Sequence, residues 1–138
     1  MPDRLVTFQT DGRAFGIDVS AVREIRGWQQ TTPLPNASEH ILGVINLRGA
    51  IVPVIDLRRR LGLGPTEISR ASVVIVTDIG DRLIGVLADS VSDIVDVSET
   101  ELHAAPTIDG HGDELVRTLA VKGSSVVALL ELPSIING

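Results

Sequence analysis

Short runs of alternating apolar and polar residues recur along this chain, separated by turns that carry glycine. A period of two marks a strand with one buried face. Residues 5–10 and 13–18 read as two such strands joined at Asp11-Gly12, a strong two-residue hairpin signal. Residues 73–78 and 82–87 repeat the arrangement around Ile79-Gly80-Asp81. After the first hairpin, Asp18 or Ser20 can cap a short helix in which Val19, Val22 and Ile25 recur at helical spacing. Asp89 or Ser90 can cap an equivalent helix carrying Val91 and Ile94. Pro33 and Pro35 then break the chain, and residues 36–40 form a turn or a single helical turn. A further hairpin pairs 44–47 with 51–56, turning at Arg48-Gly49-Ala50. Pro53 lacks a ladder N–H, which places its strand at a sheet edge or a bulge. Residues 58–61 can form a short helix ended by 62–65. The last hairpin joins 115–121 to 126–130, and the Gly-rich segment 105–114 reads as a surface loop.

The text also repeats itself. At an offset of 69, Arg13 meets Arg82, Gly16 meets Gly85, Val22 meets Val91, Glu24 meets Asp93 and Ile25 meets Ile94. Residues 47–57 and 121–132 form a second matching pair. There Gly49 falls on Gly123 and, after one inserted residue, Asp56 falls on Glu131. Two blocks in the same order point to a duplicated unit. The expected organisation is one domain of two pseudo-repeated subdomains, about 5–65 and 71–132, with room for strand exchange between them. Two small β-barrels packed through aliphatic faces fit this pattern. Each half alone would have a marginal core, so the halves are expected to fold as one body.

Composition supports a β-rich fold. Val and Ile number 17 and 14, against three aromatic residues, Phe8, Phe15 and Trp28. Such branched side chains favour strands. With no cysteine, disulfides and thiolate chemistry are excluded. The net charge is −6, but it is uneven: residues 1–70 carry nine bases and seven acids, and residues 71–138 three bases and eleven acids. This balance and the scarcity of stacking aromatics oppose nucleic-acid binding, and two-sign charge suits docking on protein partners. No run is long enough for a membrane-spanning helix. The N-terminus lacks the basic start and apolar run of a signal peptide, so a cytoplasmic location is expected.

Chemistry is sparse. His40, His103 and His111 are scattered, and the polar patch 109–114 lacks the ligand order of a Ca²⁺ loop. No metal site, catalytic residue or cofactor is expected. Asp11 and Asp89 sit on turns faintly like those of carboxylate-pair enzymes, but not at equivalent positions of the repeat. Phosphate-loop and nucleophile-elbow motifs are absent. What remains are surface candidates. Arg48 at a hairpin tip can pair with a partner's carboxylate or simply be solvated. Val22 and Glu24 fall on different faces of the expected helix. Trp28 is either a plug over the end of that helix or an interface anchor.

Phe15-Gly16-Ile17-Asp18-Val19, Val22-Arg23-Glu24-Ile25, Gly43-Val44-Ile45-Asn46-Leu47-Arg48-Gly49 and Ile51-Val52-Pro53-Val54-Ile55-Asp56-Leu57 together closely resemble the CheW family of bacterial chemotaxis coupling proteins. The resemblance runs from about residue 5 to 132. It implies a mainly β fold of two packed SH3-like five-stranded barrels. It also implies a non-catalytic adaptor linking the cytoplasmic tip of a methyl-accepting chemoreceptor to the regulatory domain of a CheA-type histidine kinase, with the groove between barrels taking the receptor helix. Carried over by position, Val22, Glu24, Arg48 and Gly49 match receptor-coupling positions, and no kinase-contact residue is carried over. A chain with no kinase or receiver segment favours the free adaptor, cytoplasmic and held at membrane-associated receptor arrays. The alternative of another class is a small-ligand-binding module using the inter-barrel groove.

Overall fold

The structure is a computed structural model that describes residues 3–106 and 115–136. Most of the expected 105–114 loop, including the polar patch from Asp109, therefore lies outside the described residues. Among the described residues, eleven strands and two short α-helices follow one another: β1 (Arg4–Thr10), β2 (Arg13–Asp18), β3 (Val22–Gly27), β4 (Ile41–Leu47), β5 (Ala50–Asp56), α1 (Leu57–Arg60), β6 (Val73–Ile79), β7 (Arg82–Ala88), β8 (Ser90–Asp96), β9 (Leu102–Ala104), β10 (Val116–Lys122), β11 (Ser125–Leu130) and α2 (Leu132–Ile136). They build two sheets, ordered β8-β1-β2-β11-β10-β9 and β3-β6-β7-β5-β4. In strand order the first five of each are the same design, because β1, β2, β8, β10 and β11 answer to β6, β7, β3, β4 and β5. Each sheet takes its leading hairpin from one half of the duplication and its remaining strands from the other.

The duplication is regular in three dimensions. Offset 69 carries the Asp11-Gly12 turn onto Gly80-Asp81, with all four residues at positive φ, the geometry that two-residue hairpins require. Offset 75 carries β4 and β5 onto β10 and β11, including a register shift between Ile41 and Gly43 that recurs between Val116 and Thr118. The apparent one-residue insertion thus disappears: Arg48 falls on Gly123, and Gly49 on Ser124. Gly16 and Gly85 share a physical reason. A Cβ on Gly16 would stand 3.0 Å from a Val127 methyl, and one on Gly85 2.8 Å from a Val74 methyl.

Three expectations need correction. The helices expected around Val22 and Val91 are strands, β3 and β8; only the single 3₁₀ turn Val19–Ala21, capped by Asp18, is helical there. The misleading spacing comes from bulges. Arg23 is extra between the pairs Val22–Thr77 and Glu24–Val76, and Ser92 between Val91–Phe8 and Asp93–Thr7. An extra residue shifts the alternation by one, so residues three apart share a face of a strand. Secondly, Pro53 lies on an interior strand. The parallel ladder to β7 begins only at Val54, so no N–H is needed there at residue 53. Thirdly, one sheet has six strands. β9 makes three pairs with β10, where the first half makes only the bridge of Thr32 with Val44.

Phe8, Phe15 and Ile17 from one sheet, Ile55, Ile75, Ile84 and Val86 from the other and Leu57 of α1 form a continuous buried cluster between the sheets. Phe8 and Phe15 stack with ring centres 6.0 Å apart. A second cluster, with Ile45, Val52, Val54, Val74 and Val76, fills the other face of the five-stranded sheet. Leu5, Val97, Ala120 and Leu129 form a smaller one on the six-stranded sheet.

Candidate functional site

β3 and the β4–β5 turn carry all four candidate residues. Val22 and Glu24 pair with the consecutive residues Thr77 and Val76, so the Arg23 bulge keeps them on opposite faces although they are two apart. Val22 packs, half-buried, against the cluster between the sheets. Glu24 lies on the other face with its side chain 27% exposed.

The turn between β4 and β5 has only two residues, Arg48 at φ 50° and Gly49 at φ 91°. Asn46 Oδ1 accepts the Gly49 N–H at 2.8 Å and holds the turn closed. Holding a side-chain-bearing residue in the left-handed region costs about 1–2 kcal/mol. The sheet curls until this hairpin, from the edge opposite β3, comes back over it. Arg48 Nη2 then donates to Glu24 Oε1 at 2.8 Å, and Arg26 Nη1 stands 3.8 Å from Oε2. The Arg48 side chain remains 70% exposed. An ion pair that open is worth about 0.2–1 kcal/mol, which does not offset the strained turn. Stability therefore does not account for an arginine at this position, and the turn holds its guanidinium mostly outward.

The surface beside the pair is shaped. A cavity of about 610 Å³ is lined by Ala50, Ile51 and Pro53 of β5, Arg23 of β3, and Asp78 and Arg82 of the β6–β7 hairpin among others. Arg23 and Asp78 pair across it at 3.4 Å. Ile51 is 64% exposed at this place. Sequence reasoning passed over Ile51, yet with Val52 and Val54 inward the alternation turns it outward.

Other candidates resolve into structure. Trp28 packs half-buried on the cluster of the five-stranded sheet. Asp89 Oδ2 accepts the Asp11 N–H at 2.9 Å, and Arg58 Nη2 reaches Asp11 Oδ1 at 3.3 Å. The two turn carboxylates are thus neighbours, each occupied by a structural partner. The run Arg58–Arg60 holds its surroundings together, with Arg60 donating to the α2 carbonyls of Ser134 and Ile135. Asp56, buried, caps α1 and accepts from both the backbone and the hydroxyl of Thr66. Its burial was not legible from the sequence, because Thr66 lies beyond a Gly-rich break. His40 is buried as well, and burial next to the Arg60 charge lowers its pKa below the usual imidazole range. Among the described residues no cluster of three potential ligands is placed to hold a metal ion, and no helix is long and apolar enough to cross a membrane.

Residues 4–138 match the family model of the CheW-like domain. The chain belongs to this family. Its members are non-catalytic scaffolds. The chain is 39% identical over 133 residues to the chemotaxis protein CheW of Rhizobium meliloti, covering 95% of this chain and 85% of that one. It is 38% identical over 104 residues to CheW of Bacillus subtilis, covering 75% and 67% respectively. Among solved structures, the scaffolding protein TtCheW of Thermoanaerobacter tengcongensis superposes with a TM-score of 0.90 at 28% identity, covering all of this chain and 90% of that one. The architecture of a CheW-like scaffold, mainly β with two packed sheets and few short helices, is therefore this chain's own.

Proposed function

We propose that this CheW-like chain is a chemotaxis adaptor that couples the cytoplasmic tips of chemoreceptors to the regulatory domain of a CheA-type histidine kinase, in the cytoplasm at receptor arrays. Membership of the CheW-like family over almost the whole chain carries the reading. The local geometry is compatible with it. Glu24 orients Arg48 and Gly49 lets the turn close, while Val22, on the opposite face of β3, anchors that strand on the cluster between the sheets. Arg48 keeps most of its N–H donors free for a carboxylate on an arriving helix.

The mechanism makes and breaks no covalent bond. An adaptor transmits receptor state through contacts that differ between two receptor conformations, and it shifts the kinase population by that difference. Arg48 can exchange Glu24 for a receptor carboxylate, so the pair is a built-in competitor that tunes this contact.

The test reconstitutes the protein with a receptor fragment and a CheA-type kinase from the same cell. Arg48→Ala is expected to reduce receptor binding several-fold while kinase binding and the circular dichroism spectrum stay unchanged. Unchanged receptor binding by a folded variant would remove Arg48 from the site, and binding of wild type to neither partner would overturn the adaptor reading.

A further inference from the structure

The duplication allows each barrel to be read against its sister. On the five-stranded sheet the inner cluster is completed by Trp28, Leu83, Ile45 and Leu47. Offsets of 69 and 75 give their counterparts on the six-stranded sheet as Val97, Ala14, Ala120 and Lys122. An indole has become an isopropyl group, two branched side chains have become methyls, and a leucine has become an ammonium. Leu5 and Leu129, in the places of Val74 and Val54, return only part of the lost volume, and Val95, Leu102 and Val127 pack partly buried beside them. Its cluster of buried residues is only Leu5, Val97, Ala120 and Leu129. The space remains as an open, mainly apolar cavity of about 360 Å³, lined by Ala14, Val95, Val97, Ala120 and Val127 and also by the polar Thr7, Gln9, Ser92, Lys122 and Ser125.

Size, lining and charge select the occupant. An apolar cavity of about 150 Å³ is enough to take up benzene, so a bicyclic aromatic has room here. The sister sheet shows that this backbone geometry seats a half-buried indole. Charge argues against an acid. Lys122 Nζ already donates to the Asp96 carbonyl at 2.6 Å and stands 3.8 Å from Glu101 Oε2. Arg4 in turn pairs with the Asp96 carboxylate at 3.0 Å, so both cations here are already committed, and an arriving carboxylate would have to displace a resident one. We propose that the inner face of the six-stranded sheet is a binding site for a small uncharged aromatic molecule of about indole's size. This site is distinct from the Glu24–Arg48 surface and does not depend on the adaptor reading.

The experiment titrates the full chain with indole and follows methyl resonances. Saturable shifts of Leu5, Val95, Val97, Val127 and Leu129, with Val52 and Val54 unmoved, are expected in the millimolar range or tighter. Restoring the sister residues with Ala14→Leu and Ala120→Ile fills the space and should weaken binding at least tenfold; if the pair does not fold, Ala14→Leu alone carries this arm. Indole-3-acetate should bind at least tenfold more weakly than indole. The proposal is overturned if those methyls do not move, if the filled variant binds indole as well as wild type, or if the carboxylate binds equally. A site reserved for a protein side chain, too open to hold a free molecule, would show as the first of these outcomes.

Discussion

Gly43→Ala is the sharpest test of how the five-stranded sheet is held in its curl. Gly43 sits at φ +142°, a region that side-chain-bearing residues rarely enter, and a Cβ there would stand 2.2 Å from the Thr32 carbonyl oxygen. That carbonyl accepts from Val44 N at 2.9 Å, and Thr32 N donates back to the Val44 carbonyl at 2.9 Å. These two bonds tie the chain after β3 to the opposite edge strand. The added methyl group meets backbone, so relief requires Thr32 to withdraw and both bonds to open. Strain at such a φ is about 1–3 kcal/mol, and each lost bond about 0.5–1.5 kcal/mol. The sum, roughly 2–6 kcal/mol, is a large part of the ~5–15 kcal/mol that stabilises a typical domain. Urea unfolding followed by circular dichroism should show the midpoint falling by about 1–3 M, given a slope near 2 kcal/mol/M. Gly49→Ala is the control, since Gly49 has φ +91° but open space around its Cβ position; it should show the φ strain without the clash. A Gly43→Ala loss below about 1 kcal/mol, or equal to that of Gly49→Ala, would refute the argument that the bridge constrains the sheet.

Other expected outcomes follow from single contacts. In a double-mutant cycle of Arg48→Ala with Glu24→Ala, the coupling measured as unfolding free energy should be about 0.2–1 kcal/mol and should shrink in 1 M salt. Asp56→Ala should cost about 2–4 kcal/mol by urea titration, because it removes the α1 cap and strands the buried Thr66 N–H. For His40, the folded pKa lies below the unfolded value near 6.5. The unfolded chain then binds the proton more readily, so this contribution rises with pH and fades as pH falls through the mid-6 range, by at most about 1.4 kcal/mol per pH unit. Comparing wild type with His40→Gln between pH 5 and 8 isolates it, and identical slopes would refute it. Gly85→Ala should destabilise more than Gly16→Ala by thermal unfolding, because its new methyl group meets Val74 at 2.8 Å.

The turns and the repeat were legible because their chemistry is local. Asp11-Gly12, Gly80-Asp81, Arg48-Gly49 and Gly123-Ser124 each carry a glycine at positive φ between two alternating runs, and the four hairpins follow. The bulges at Arg23 and Ser92 were not legible. An extra residue in a strand imitates helical spacing in one dimension, and only the partner strand reveals it. The same bulge placed Val22 and Glu24 on opposite faces, so the expectation about their faces survived while its stated cause did not. The Glu24–Arg48 contact was out of reach for a different reason: 24 residues separate the partners, and their meeting depends on how far a sheet curls. The motif that carried the family resemblance named both residues without showing that they touch.

The exchange of leading hairpins has a mechanical consequence for an adaptor. β1–β2 pair with β8 and β11, and β6–β7 with β3 and β5, so each sheet is continuous only through strands from both halves. The halves cannot separate without opening antiparallel ladders on β3–β6 and β1–β8 and parallel ones on β5–β7 and β2–β11. The cluster around Phe8, Phe15, Ile55 and Ile75 lies in the same seam. A load applied at the Arg48 turn therefore reaches the six-stranded sheet through β5 and β7 and the packed core, without crossing a flexible linker. Differential contact at one end can then be felt as orientation at the other, which is what transmission without chemistry requires.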